Sequence, residues 1–126
     1  MLRRFQPKAV PASKAPFSQV VVDDHYAFLS GLVAADFPAG RAVLGDVGAE
    51  TRAVLTAIRD ILAEIHLNMD RIVRVDVHLA DLGDFNAMDE AYGEFFHVGA
   101  RPARTTTESK QLFGDSRVEI TCQARR

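Results

Sequence analysis

Apolar residues recur along this chain with two different periods, and the switches between them mark its elements. Val73, Val75, Val77 and Leu79 alternate with Arg74, Asp76, His78 and Ala80, the two-residue period of a half-buried strand. Val118, Ile120, Cys122 and Ala124 alternate in the same way with Arg117, Glu119, Thr121 and Gln123. Elsewhere the period is helical. Thr51, Val54, Leu55, Ile58, Leu62 and Ile65 form one stripe, with Arg52, Arg59, Asp60 and Glu64 off it and Asp46 placed to cap its start. Phe85, Met88, Tyr92 and Phe95 form a second stripe, with Asp84 as its expected cap and Gly99 as its expected stop. Residues 18–22 and 25–30 are β-rich and flank Asp23-Asp24, which predicts a hairpin. Residues 103–109, rich in Thr, predict another strand. Residues 31–45, with Pro38, Gly40 and Gly45, predict a long loop with room for a short strand. Pro7, Pro11 and Pro16 make residues 1–16 an extended lead-in.

The order hairpin, loop, helix, strand, helix, strand, strand predicts one α+β domain over residues 1–126, with both helices on one face of a sheet. The other face then carries Arg74, Asp76, His78, Glu119 and Thr121 beside apolar residues of the hairpin. A half-polar open face of this kind points to a second subunit.

Composition narrows the classes. The 126 residues hold 15 Lys+Arg against 17 Asp+Glu, a net charge of −2, and 48% are hydrophobic. This is ordinary for one folded domain. It lacks the basic excess of a general nucleic-acid binder, so no nucleic-acid partner is expected. No apolar run nears the roughly 20 residues that span a bilayer, so no membrane association is expected. No long apolar segment follows Arg3-Arg4, so a secretory signal is not expected. A single cysteine, Cys122, suits the reducing cytoplasm.

The usual catalytic motifs are missing. His25, His66, His78 and His97 do not stand at ligand spacing, so no metal is expected. Cys122 lies on the apolar side of its strand and reads as a core residue. Neither a Gly-x-Ser-x-Gly elbow nor a phosphate-binding glycine loop occurs. Two segments remain, Arg101-Pro102-Ala103-Arg104-Thr105-Thr106-Thr107 and Arg117-Val118-Glu119-Ile120. On residue type alone, Arg104 and Glu119 read as solvated strand positions. A mid-strand carboxylate such as Glu119 gains meaning once a partner chain shields its face.

Pro102-Ala103-Arg104-Thr105, followed by Val118-Glu119-Ile120, resembles the signature of the Rid (YjgF) family of reactive-intermediate imine deaminases. Ala15-Pro16-Phe17-Ser18-Gln19, Phe28-Leu29-Ser30-Gly31, Glu50-Thr51-Arg52 and Val75-Asp76-Val77-His78-Leu79-Ala80-Asp81 are similar to its other landmarks, in order, over residues 15 to 124. The resemblance implies a chorismate-mutase-like homotrimer with active sites between subunits. It implies hydrolysis of 2-imino acids of the 2-aminoacrylate or 2-iminobutanoate type to 2-keto acids and ammonia, without a cofactor. In that frame Arg104 grips the substrate carboxylate and Glu119 handles the proton of the attacking water. Phe17, Ser30, Gly31, Asp89 and Thr106 complete the pocket. The chain departs from the family pattern at Phe17 (usually Tyr), Leu32 (often Gln), Asp89 (often Asn) and Thr106 (often Cys). Asp89 would weaken anion binding unless Arg104 or Arg101 offsets it. The resemblance leaves open a deaminase of a larger, aminomuconate-like dicarboxylate and a non-catalytic trimer that senses a small carboxylate. A ribonuclease or translation-inhibitor role, also described in the family, finds no basic stripe here.

Overall fold

The computed structural model describes residues 1–126. Six strands form one sheet: β1 (Arg3–Phe5), β2 (Val20–Val22), β3 (Tyr26–Val33), β4 (Ile72–Leu79), β5 (Ala103–Glu108) and β6 (Val118–Arg125), in the spatial order β1-β2-β3-β6-β4-β5. β4 and β5 run parallel and every other pair is antiparallel. Helix α1 (Pro38–Arg41) is a single turn, whereas α2 (Val47–Glu64) and α3 (Phe85–Gly93) are the two amphipathic helices. The architecture is α+β, and α3 bridges the parallel pair as a crossover. No helix is long and apolar enough to cross a membrane.

The lead-in is more than extended, because Arg3–Phe5 pairs with Val20–Val22 as an edge strand. The hairpin turn is closed by Asp23, whose Oδ1 accepts from the backbone N–H of His25 and of Tyr26, each at 2.7 Å. These bonds favour the ionised form and hold the Asp23 carboxyl below its ordinary range. β3 does not stop at Ser30. It continues to Val33, so the expected loop begins three residues late, and a 3-10 turn and α1 occupy it where a short strand was expected. β3 is irregular against β6 between Leu29 and Leu32, which places a bulge at Ser30-Gly31.

Asp46 caps α2 as its position predicts, accepting from Ala49 N at 3.0 Å. The expected cap of α3 is different. Asp84 makes no capping bond, because its carboxylate takes Arg117 Nε at 3.0 Å instead. α3 ends at Gly93, six residues before Gly99. In β4 the strict alternation breaks at its start: Val73 is 42% exposed while Ile72 is buried, because the register against β6 shifts between Ile72 and Arg74.

Val54, Leu55, Ile58 and Leu62 of α2 pack with Val75, Val77, Ile120 and Cys122 in the main core. Each such side chain contributes roughly 1.5–3 kcal/mol by leaving water. Cys122 belongs to this core, and burial pushes its thiol up to about 12. Met88 and Tyr92 carry the buried stripe of α3 onto the same layer.

One buried charge positions the start of β6. Glu50, fully buried on α2, accepts from Gly45 N at 2.7 Å and from Arg117 N at 2.8 Å. Gly45 adopts φ +98°, a left-handed conformation that favours glycine and turns its N–H toward that carboxylate. The clamp fixes the chain two residues before Glu119. Glu50→Ala leaves two part-buried N–H groups without their partner, each costing up to about 1–3 kcal/mol. The expected loss in urea unfolding is therefore on the order of 3 kcal/mol, and Glu50→Gln should lose less because its amide oxygen still accepts one bond. An unchanged midpoint in Glu50→Ala would show that the clamp contributes nothing.

Candidate active site

The seven residues singled out from the sequence fall into two groups on opposite sides of the sheet. Glu119, Ser30 and Gly31 belong to the open face and its rim. Glu119 is half-buried and stands second in β6, nearer its start than the mid-strand position expected, across from Val33 of β3 and His78 of β4. A Cβ placed on Gly31 would lie 3.0 Å from both Cδ and Oε2 of Glu119 and 3.0 Å from Thr121 Oγ1. The carboxylate therefore lies directly over the Gly31 backbone, and any side chain there would push it away. Ser30 Oγ donates to Ser18 O at 2.7 Å, and Ser30 N donates to Gln19 O at 3.0 Å. Those bonds tie the segment leading into β2 against β3. Phe17, just before that tie, is 51% exposed. Leu32 takes no part, because it is buried on the core side with Ile120 as its strand partner.

The rest of the open face is polar and internally bonded. Arg74 Nη2 donates to Asp76 Oδ1 at 2.9 Å and to Thr105 Oγ1 at 2.6 Å. His78 Nδ1 lies 3.0 Å from Thr107 Oγ1. Phe28, in register with Gln123, exposes an aromatic ring beside these groups. No three of the His, Cys, Asp and Glu side chains converge as a ligand set.

Arg104, Thr106 and Asp89 form the second group, where edge strand β5 meets α3. Arg104 is in register with Val75, whose side chain is fully buried beneath the helices, so Arg104 points to the helix side. Its guanidinium carbon sits 4.6 Å from the centroid of the Tyr92 ring and 5.6 Å from that of Phe85. Its Nη1 lies 2.7 Å from Asp89 Oδ1. The apolar stripe of α3 thus supplies an aromatic seat, and the next polar position supplies an ionic brace. Arg101, Pro102, Arg104, Asp89, Tyr92 and Gly93 line a cavity of about 250 Å³.

Two hydroxyls on the helix side of the sheet, Tyr92 Oη and Thr106 Oγ1, are buried without a hydrogen-bond partner. Burial pushes the Tyr92 phenol up to about 12, with Arg104 pulling the other way. Tyr92 and Phe85 did not stand out as site residues in the sequence, because their helical spacing marks them first as core. Their signal was the placement of one α3 stripe opposite a lone strand arginine.

One chain does not bring Arg104 and Glu119 together. The register aligns Arg104 with Val75 and Cys122, and Glu119 with His78 and Thr107. Arg104 lies on the helix side of the sheet, two strands away from β6, and Glu119 lies on the open side.

Comparison with known proteins bears on the family of the whole chain. Residues 7–126 match the family model described as Endoribonuclease L-PSP. Protein DfrA of Myxococcus xanthus is 37% identical over 126 residues, covering 94% of this chain and 95% of that protein. The 2-iminobutanoate/2-iminopropanoate deaminase of Mus musculus is 36% identical over 110 residues, covering 87% of this chain and 81% of that enzyme. The crystal structure of the YjgF gene product of E. coli superposes with a TM-score of 0.87 at 28% identity, over 98% of each chain. With residues 7–126 matched by the family model and the fold shared over 98% of the chain, the chain belongs to the Rid (YjgF) family.

Proposed function

We propose that this protein hydrolyses 2-imino acids of the 2-aminoacrylate and 2-iminobutanoate type to 2-keto acids and ammonia, as a homotrimer whose active sites lie between subunits. The observation that carries the reading is the setting of Arg104: a guanidinium seated on Tyr92, braced by Asp89 and lining a cavity at the sheet edge. A guanidinium carries five N–H donors, so the bond to Asp89 leaves others free for a substrate carboxylate. A Glu119 carboxylate is then required from a neighbouring protomer. The open face that carries it is the surface a second copy would cover.

The chemistry needs no cofactor in this scheme. Arg104 holds the carboxylate, which fixes the imine carbon against the neighbour's Glu119. Glu119 accepts a proton as the water oxygen bonds to the imine carbon. On the protonated imine this gives a carbinolamine; the same carboxyl passes that proton to nitrogen, then takes the carbinol hydroxyl proton as the C=O bond forms, the carbon–nitrogen bond breaks and ammonia leaves. Gly31 keeps the space over its backbone open for the carboxylate. Phe17 and Thr106 close the pocket from either half. A mammalian relative that carries the deaminase name supports the same reading.

Glu119→Gln should keep the fold and assembly and lower kcat by about 10²- to 10⁴-fold, since an amide does not take up the water's proton. The check is release of pyruvate from 2-aminoacrylate generated in situ, and wild-type kcat in the folded variant would reduce Glu119 to a strand residue.

Arg104→Ala should lower kcat/KM at least about tenfold, in line with roughly 1.5–3 kcal/mol for a hydrogen bond to a charged group. Arg104→Lys should restore only part of this, because an ammonium keeps the charge without the fork. Hydrolysis unaffected by Arg104→Ala, or a bound 2-keto acid with its carboxylate elsewhere, would contradict the assignment.

Mixing the two inactive variants tests the shared site directly. If Arg104 and Glu119 of one cleft come from different chains, about one quarter of the clefts in randomly mixed Arg104→Ala and Glu119→Gln trimers are intact. Activity should therefore reappear after co-refolding, with sedimentation showing a trimer. Mixed trimers as inactive as their parents would place both residues in one chain's site.

A further inference from the structure

The cavity beside Arg104 is lined by two guanidiniums, those of Arg101 and Arg104, and by one carboxylate, that of Asp89. Asp89 lies 2.7 Å from Arg104 Nη1, so these two charges largely cancel. Arg101 is exposed and belongs to none of the chain's five ion pairs. Resting on the reading of this cavity as the carboxylate end of an imino-acid site, we propose that Asp89 and Arg101 together set how many carboxylates a substrate can carry. Asp89 neutralises Arg104, Arg101 supplies the one uncompensated positive charge, and the site selects monocarboxylate imino acids over dicarboxylates.

The division of labour follows from the two environments. Arg104 is 22% exposed, stacked on Tyr92 and held at one edge by Asp89. It contributes directed N–H donors but little net charge. Arg101 projects from the loop before β5 and carries attraction without a fixed direction. A first carboxylate therefore meets a net charge of +1 and is drawn in. With the first carboxylate held by the free N–H groups of Arg104 and its charge met by Arg101, a second finds no further positive charge, and it approaches the Asp89 carboxylate, which is 46% exposed on the cavity side of α3. Like charges at such range disfavour one another. Half-exposure screens the effect to moderate size.

Calorimetry with 2-oxobutanoate and 2-oxoglutarate, stable keto acids with one and two carboxylates, tests the charge count. Turnover of the corresponding imines, made in situ by an amino-acid oxidase, runs alongside. Wild type should bind 2-oxobutanoate more tightly. Asp89→Asn should shift the affinity ratio toward 2-oxoglutarate by about tenfold, as expected for removing one like charge. A ratio measured on one preparation is insensitive to any inactive fraction. Arg101→Ala should raise KM for the monocarboxylate imine about tenfold with kcat nearly unchanged, a loss of uniform binding. Arg101→Lys should retain most of the affinity. In the Asp89→Asn background Arg101→Ala should cost clearly less, because Arg104 is then free to supply the charge. An unchanged ratio in Asp89→Asn, an unchanged KM in Arg101→Ala, or a wild type that binds neither keto acid overturns the inference. If both keto acids bind with the expected preference but no imine is hydrolysed, the deaminase reading fails and the charge selection stands.

Discussion

The two-residue alternation of a β-strand is the constraint on which this molecule's chemistry depends. It puts Val118, Ile120 and Cys122 under the helices and, by the same geometry, turns Glu119 and Thr121 outward. On β5 it turns Arg104 and Thr106 inward toward α3 and leaves Thr105 and Thr107 on the open face. A sheet that must bury one side cannot also bring these two functional side chains together in one chain. Separation of Arg104 from Glu119 within one chain is thus a consequence of core formation, and the proposed shared site needs a second copy to join them.

The two groups of candidate residues are built by different physical devices. The open-face half relies on close backbone approach: Gly31, at the bulge of β3, leaves room for the Glu119 carboxylate where any Cβ would intrude. The buried Glu50 clamp holds the same strand from the other side through Arg117 N. The edge half relies on charge and aromatic packing. Arg104 would be costly to bury at a sheet edge without a partner, and α3 offers both a ring and a carboxylate. The ionic brace that steadies the guanidinium also removes most of its charge.

The chain's strands and helices were legible where period and burial coincide. The stripe of α2 and the alternation of β6 match what packing requires, and Asp46 caps α2 as its position suggests. Sequence reasoning failed where a tertiary partner outbid a local signal. Asp84 stands where a cap belongs, yet Arg117 offers a charged partner from another element. Val73 keeps the strand period but is exposed, because the register slips after Ile72. Gly99 could end a helix, but the helix has already ended at Gly93.

For the site, Arg104, Glu119, Gly31 and Asp89 stood out only through the resemblance to the Rid family, since on residue type alone Arg104 and Glu119 read as solvated strand positions. Their relations were not legible in the chain. The pairing of Asp89 with Arg104 depends on how α3 crosses between two parallel strands, and the Tyr92 seat depends on which side of β5 faces that helix. The sequence by itself determined which residues alternate, which repeat at helical spacing and how much charge the chain carries. Only the tertiary structure decided which face each functional side chain occupies, because strand order and register are set by long-range packing that no local period encodes.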